Sequence, residues 1–420
     1  MDKIVVEKSP ALKGRVRVSG SKNAALPILA ACLLGTEDIY LDEVPDLEDI
    51  RVMCEVLESL GSKVSYPEKG KLIINSGGLK EYKTPFELMN KMRASFLVMG
   101  PLLTRLGRTE NSLPGGCAIG SRPIDYHLKG FRALGAEIEE DFGNITAHAK
   151  KLKGSRVYLD FPSVGATENI MMAAVLAEGE TIIENAAKEP EIVDLSNFLR
   201  KLGAKVMGAG TSTIRINGVE KLGGARYSII PDRIEAGTFM VAAAITGGDV
   251  LVENVISSHM LPMMAKLEEA GCTLTEDGDS IRVQGVAAPR EIEVKTLPYP
   301  GFPTDMQAQF TAFMTQCKGS SEVIETVFEN RFMHVEELQK MGAEIRIEDR
   351  RATVFGPSQL TGATVKASDL RAGAALILAG LIAEGKTTVT AVHHIDRGYD
   401  RIEEKLRGLG AKIYRISEED

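Results

Sequence analysis

Apolar positions cluster unevenly along the 420 residues. The stretches Ala24–Leu34, Glu168–Glu178, Ile234–Ile245 and Gly373–Glu384 are apolar nearly all the way round a helix. They predict helices buried on every side. A glycine follows each one (Gly35, Gly179, Gly247, Gly385) and reads as a helix stop. Strand patterns come next, alternating in period two, as at Thr181–Glu184 and Val250–Glu253. Then come helices charged on one face only, such as Val193–Leu202, Val335–Met341 and Glu403–Arg407. These predict solvated amphipathic helices, each running into a closing strand pair.

One short pattern ties these elements into a repeat. It reads apolar, Gly, small, any, apolar: LGSKV, LGAEI, LGAKV, AGCTL, MGAEI and LGAKI. Its glycines are 61, 135, 203, 271, 342 and 410, spaced by 74, 68, 68, 71 and 68 residues. A period this long predicts six repeated supersecondary units. A further strand precedes the first helix at Arg15–Ser19, Arg156–Asp160, Tyr227–Ile230, Glu291–Lys295 and Thr364–Lys366. The units divide as three plus three, with a break in GGARYSIIPD at 223–232. The opening strands, Ile4–Val6 and Arg15–Val18, have no earlier unit to join and are expected to close the last one. The expected domains are therefore 22–229, and 1–21 plus 230–420.

The residues before each buried helix carry candidate chemistry. They read SGSKN, NKMRAS, FPSVGATEN, IPDRIEAG, FPTDMQ and ASDLRAG. Their Ser, Thr and Asp are expected N-caps. Lys22, Arg233 and Arg371 lie in a first turn or beside it, and Arg93 precedes another helix. A cation there opposes the helix dipole and calls for a reason. If the helix starts face one gap, backbone N–H groups and cations together make an anion site. The formal net charge of −8 makes such a local cluster necessary for any anionic substrate and argues against non-specific nucleic-acid binding.

The densest stretch is LPGGCAIGSRPIDYH at 113–127. Its glycines and prolines predict a loop. Cys117 lies five residues before Arg122, and a guanidinium near a thiol favours thiolate. An isolated PGGC reads equally well as a surface turn with an incidental cysteine; the full string is more specific.

Other signals narrow the classes. Five cysteines without CxxC spacing suggest neither a disulfide framework nor a zinc site, and imply a reducing, cytoplasmic setting. No metal spacing appears among the six histidines. No apolar run is long enough to span a bilayer, and MDKIVVEKSP lacks a signal-peptide core. GLIAEGKT at 380–387 fits the P-loop pattern, but there a glycine ends a helix and a strand follows. A phosphate loop needs the reverse order. The fragment Gly208–Gly210 lacks the third glycine of a dinucleotide fingerprint.

Taken together, the chain resembles the enolpyruvyl transferases, in the branch whose acceptor is UDP-N-acetylglucosamine. The resemblance rests on SGSKNAALP at 19–27, the 113–127 loop, SVGATENIMMAA at 163–174, PGFPTDMQAQ at 300–309, ETVFENRFMH at 325–334, SDLRAG at 368–373 and IDRGYD at 395–400. It implies an α/β fold: a two-domain inside-out α/β barrel, with three repeats per domain and the active site in the interdomain cleft. It implies transfer of the enolpyruvyl group of phosphoenolpyruvate to the sugar 3-hydroxyl, releasing phosphate by addition and then elimination. That is the first committed step of peptidoglycan precursor synthesis. No cofactor or metal, and no membrane insertion, is implied.

The implied roles fall on named residues. Lys22, Arg122 and Arg397 match the positions that hold phosphoenolpyruvate, with Asn23 beside the reacting centre and Arg331 and Arg371 in support. Lys22, Cys117, Asp305 and Arg397 match the catalytic set. Cys117 matches the reactive cysteine, a proton donor and the target of fosfomycin. Asp305 matches the carboxylate assigned to the sugar hydroxyl; read alone, in FPTD, it is a plain N-cap. Arg93, Arg122, Pro123, Ile124, Asp125, Tyr126, His127, Ser163, Val164, Gly165, Asp305 and Val327 match nucleotide-sugar contacts. One position departs: some members carry a diphosphate-binding lysine two residues before the SVGAT serine, where this chain has Phe161. The nearest alternative is the sister enzyme that uses shikimate 3-phosphate, whose pattern lacks the 113–127 loop. A catalytically silent repeat scaffold is a second, against which Lys22, Cys117, Asp305, Arg371 and Arg397 all argue.

Overall fold

The computed structural model describes residues 2–113 and 124–417. Cys117, Arg122 and Pro123 therefore lie outside the described residues. The chain forms two compact units, one of residues 20–113 and 124–230, the other of 2–19 and 231–417.

In the 231–417 unit, the helices Arg233–Ile245, Gln307–Met314 and Leu370–Gly380 pack against one another. Nearly every residue on them is buried, as expected of helices apolar on all faces. Three four-stranded sheets surround them, helices inside and strands outside. In two of the sheets the strand before a central helix pairs in parallel with the strand after it, as Glu293–Lys295 does with Gly319–Ile324; in the third, Lys13–Arg17 takes that place beside Asp249–Glu253. Antiparallel hairpins complete the sheet. Strands such as Ser280–Gln284 alternate buried and accessible positions, one face on the helices and one towards solvent.

The 20–230 unit repeats this plan around Lys22–Ala31, Val164–Ala174 and a third, broken helix. The broken one runs through a 3-10 segment, Arg93–Val98, into Met99–Leu106. Its middle sheet has three strands plus an isolated parallel bridge, Lys83 to Glu110, where the fourth would lie.

All four buried helices begin earlier in the sequence than their apolar runs suggest, and three of them also end earlier. Leu370–Gly380, for example, replaces the expected Gly373–Glu384. The reason is the cap: the Asp369 side chain accepts from the Arg371 and Ala372 amides and starts the helix there. Ser21, Ser163 and Asp232 cap three others in the same way. All six repeat glycines adopt positive φ, between 93° and 108°, the left-handed turn that ends a helix. Gly380 is the last residue of its helix and a strand, Lys386–Thr390, follows, so GLIAEGKT is a helix stop.

The opening strands part company. Asp2–Glu7 joins the last repeat, between Lys386–Thr390 and Lys412–Ser417. Lys13–Arg17 instead pairs in parallel with Asp249–Glu253, in the fourth repeat. Leu12, fully buried, fixes this choice: its carbonyl accepts from the Asp249 amide at 2.8 Å.

Candidate active site

In the 231–417 unit the buried helix starts bring charge together. Asp305 lies in the 3-10 turn Thr304–Met306 that opens the helix Gln307–Met314. Its carboxylate does not cap that helix, contrary to the plain reading of FPTD. Arg331 Nη2 donates to Oδ1 at 2.7 Å and Arg371 Nη2 donates to Oδ2 at 3.0 Å. Both arginines are buried, while Asp305 keeps 26% of its side chain exposed. Burial would raise the Asp305 pKa, but Arg371 and Arg331 more than reverse this and hold it well below the usual carboxylate range. Two guanidiniums on one carboxylate leave a net positive charge beside an accessible oxygen.

Neutral groups lock this cluster. The Arg371 guanidinium donates to Tyr399 Oη at 3.3 Å. Tyr399 Oη also meets Thr238 Oγ1 at 2.9 Å and Gln309 Nε2 at 3.3 Å. The first two turns of all three central helices are thereby tied to one phenol. On the other side, Arg331 Nη1 donates to Thr304 Oγ1, which donates to Glu325 Oε2, each at 2.9 Å. Glu325 Oε1 accepts from the amides of Val327 and Phe328 at 2.8 and 3.1 Å. One buried carboxylate thus shapes the Val327 turn and supports the Asp305 pair. Arg397 follows the short helix His393–Asp396. That helix is anchored by Asp396, which takes a two-pronged contact from Arg415 at 2.6 and 2.9 Å. Arg233 lies over the Tyr299 ring at 5.6 Å.

The 20–230 unit gathers a second group. Lys22, first residue of its helix, reaches Asp49 Oδ2 at 3.2 Å. Both are largely buried, and Asn23 follows in the same turn. Ile124, Asp125, Tyr126 and His127 form the start of the helix Asp125–Ala133. Ser163, Val164 and Gly165 form the start of Val164–Ala174, and Gly165 lies against the His127 ring. Arg93 opens the 3-10 segment and its charge is felt at His127. Burial first, and Arg93 second, push the His127 pKa down to about 3, so the ring is neutral. Phe161 is partly exposed just before Ser163 and supplies no cation.

The sequence-derived site residues thus fall into two groups, Asp305, Arg331 and Arg371 directly bonded in one unit, Lys22, Asn23, Arg93, His127 and Ser163–Gly165 in the other. Five polar residues went unassigned in the sequence: Asp49, Asn169, Glu325, Gln309 and Tyr399. Asn169 and Gln309 carried a usable signal, being amides inside otherwise apolar helices. Asp49 and Glu325 carried none, since acids are ordinary at helix starts and strand ends.

Comparison with known proteins extends the picture over the whole chain. The model of the EPSP synthase family (3-phosphoshikimate 1-carboxyvinyltransferase) matches residues 6–406. The UDP-N-acetylglucosamine 1-carboxyvinyltransferase of Finegoldia magna is 66% identical over 423 residues, covering 100% of both chains. UDP-N-acetylglucosamine 1-carboxyvinyltransferase 1 of Caldanaerobacter subterraneus is 62% identical over 98% of this chain and 99% of its own. The enolpyruvyl transferase NikO from Streptomyces tendae superposes with a TM-score of 0.90 at 24% identity, covering 99% of each chain. An EPSP synthase from Acinetobacter baumannii gives 0.78 at 20% identity, covering 99% of this chain and 100% of its own. These two likenesses show the fold, the inside-out α/β barrel. With the family match spanning nearly its full length, the chain belongs to the EPSP synthase family of enolpyruvyl transferases.

Proposed function

We propose that the protein transfers the enolpyruvyl group of phosphoenolpyruvate to the 3-hydroxyl of UDP-N-acetylglucosamine, releasing phosphate. The observation that carries this reading is the Asp305–Arg331–Arg371 cluster: one partly open carboxylate between two buried guanidiniums. Such a place suits an anionic substrate next to a proton acceptor. The acceptor is inferred from the names of the relatives at 66% and 62% identity.

Lys22, Arg122 and Arg397 hold the phosphate and carboxylate of phosphoenolpyruvate, with Arg331, Arg371 and Asn23 beside them. Arg93, residues 122–127, Ser163, Val164, Gly165 and Val327 hold the nucleotide sugar. The sugar oxygen bonds to C2 of the enolpyruvate while its proton passes to Asp305, and Cys117 gives a proton to C3. Loss of a C3 proton then expels phosphate and restores the double bond. Held by two guanidiniums, Asp305 is a weak base. Substrate anions that engage Arg331 and Arg371 loosen that hold and restore its basicity. The four described cysteines are free and buried, which suits a cytoplasmic setting.

Product mass with each acceptor tests the reading. UDP-N-acetylglucosamine gains an enolpyruvyl group, and shikimate 3-phosphate does not; the reverse result assigns the sister activity. Asp305→Ala lowers turnover by about 10²–10⁴-fold while nucleotide-sugar binding survives; near-normal turnover removes Asp305 as the base. Cys117→Ala abolishes covalent labelling by fosfomycin, and full labelling of the variant removes Cys117 from the proposed role.

A further inference from the structure

We infer that Asn169 is a positioning residue that fixes His127 as a neutral imidazole with its proton on Nε2, a permanent donor to the nucleotide sugar. The inference rests on the reading above for the ligand, but not for the tautomer.

Asn169 is fully buried in the second turn of Val164–Ala174. Its side chain has three polar contacts. Oδ1 accepts from the Gly100 amide at 2.8 Å. Nδ2 donates to the Phe96 carbonyl at 3.1 Å and lies 3.1 Å from His127 Nδ1. The orientation of the amide is not free. The Gly100 N–H and the Phe96 carbonyl oxygen both face the amide, so flipping it would set N–H against N–H and oxygen against oxygen. The second Nδ2 hydrogen must therefore point at His127, and Nδ1 must accept it. A neutral ring that accepts at Nδ1 carries its proton on Nε2.

The ring is held in direction as well. Phe96 meets it edge-on, with centroids 5.2 Å apart and planes at 84°. The Cε1–Nε2 side faces Gly165, where an added Cβ would lie 3.4 Å from both atoms. The Nε2–H bond is thus presented beside the Ser163–Gly165 segment. Among the described residues the charged group acting on His127 is Arg93. Glu168, on the Asn169 helix, is coupled instead to Glu191 and Glu189. Among the described residues no carboxylate favours the imidazolium, so the donor keeps one form across physiological pH. Phe161 supplies no cation two residues before Ser163, so a neutral donor at this position carries more of the anion or carbonyl contact.

Long-range 15N–1H correlation on the histidine-labelled protein tests the tautomer directly. The expected result is an Nε2-protonated His127 that does not titrate between about pH 5 and pH 8. An Nδ1-protonated ring, or titration in that window, overturns the inference. Asn169→Asp supplies an acceptor in place of the donor, so the proton moves to Nδ1 and the imidazolium is favoured. The KM for UDP-N-acetylglucosamine then rises about tenfold at high pH and recovers as pH falls through the new His127 pKa, with kcat little changed. A role in packing alone would not give that pH-dependent recovery. A flipped ring with unchanged KM overturns the link to binding. Should Asn169→Asp not fold, the wild-type spectrum alone decides the tautomer. Absence of turnover with this acceptor in the wild type would count against the proposed function and leave the tautomer result standing.

Discussion

At the residue scale, charge is placed where apolar helices begin, and each buried cation finds a protein partner. Arg331 and Arg371 share Asp305, and Lys22 reaches Asp49. Removing the shared carboxylate leaves two buried guanidiniums without it, which costs more than any surface pair is worth. Asp305→Asn is expected to lose about 3 kcal/mol of unfolding free energy in phosphate-free buffer, at the lower end of the range for buried pairs because Asp305 is partly exposed. Added inorganic phosphate restores part of it. Urea unfolding checks both, and an unchanged midpoint would mean the guanidiniums do not depend on Asp305. The individual residues were legible in the sequence, but their pairing was not. Asp305, Arg331 and Arg371 are separated by 26 and 66 positions from partner to partner, and no local spacing encodes that meeting.

At the element scale, the repeat glycines do the most regular work. Gly410 has φ of 96° with nothing within 4 Å of an added Cβ, so its requirement is purely conformational. Two residues earlier, Gly408 closes the helix Ile402–Gly408, also with open space around it and without the positive φ. Gly410→Ala is expected to destabilise by about 1 kcal/mol, and Gly408→Ala to stabilise by about 0.5–1 kcal/mol. Thermal unfolding of the two variants should shift in opposite directions; equal shifts would reject the left-handed stop. These stops, the buried helices and the exposed hairpins were legible because each follows from local period and local backbone chemistry. Strand partners were less so. Lys13–Arg17 and Asp2–Glu7 are both short strands at the start of the chain, and only the burial of Leu12 separates their sheets. The helix after NKMRAS was legible, but its opening as a 3-10 segment, Arg93–Val98, ahead of Met99–Leu106 was not.

At the scale of the whole molecule, six copies of one unit build two helix-centred bodies on a chain whose net charge is −8. That background repels the two anionic substrates of the proposed reaction, so affinity must come from a few local cations, several of them at helix starts. The repeats supply those positions many times over, and only some are occupied by Lys or Arg: Lys22, Arg93, Arg233 and Arg371. Phosphorus NMR of the wild-type protein tests the central claim most directly. The account predicts that inorganic phosphate appears only when phosphoenolpyruvate and UDP-N-acetylglucosamine are both present, in step with the enolpyruvyl product. Phosphate released from phosphoenolpyruvate without that acceptor, or none released with it, would contradict the account.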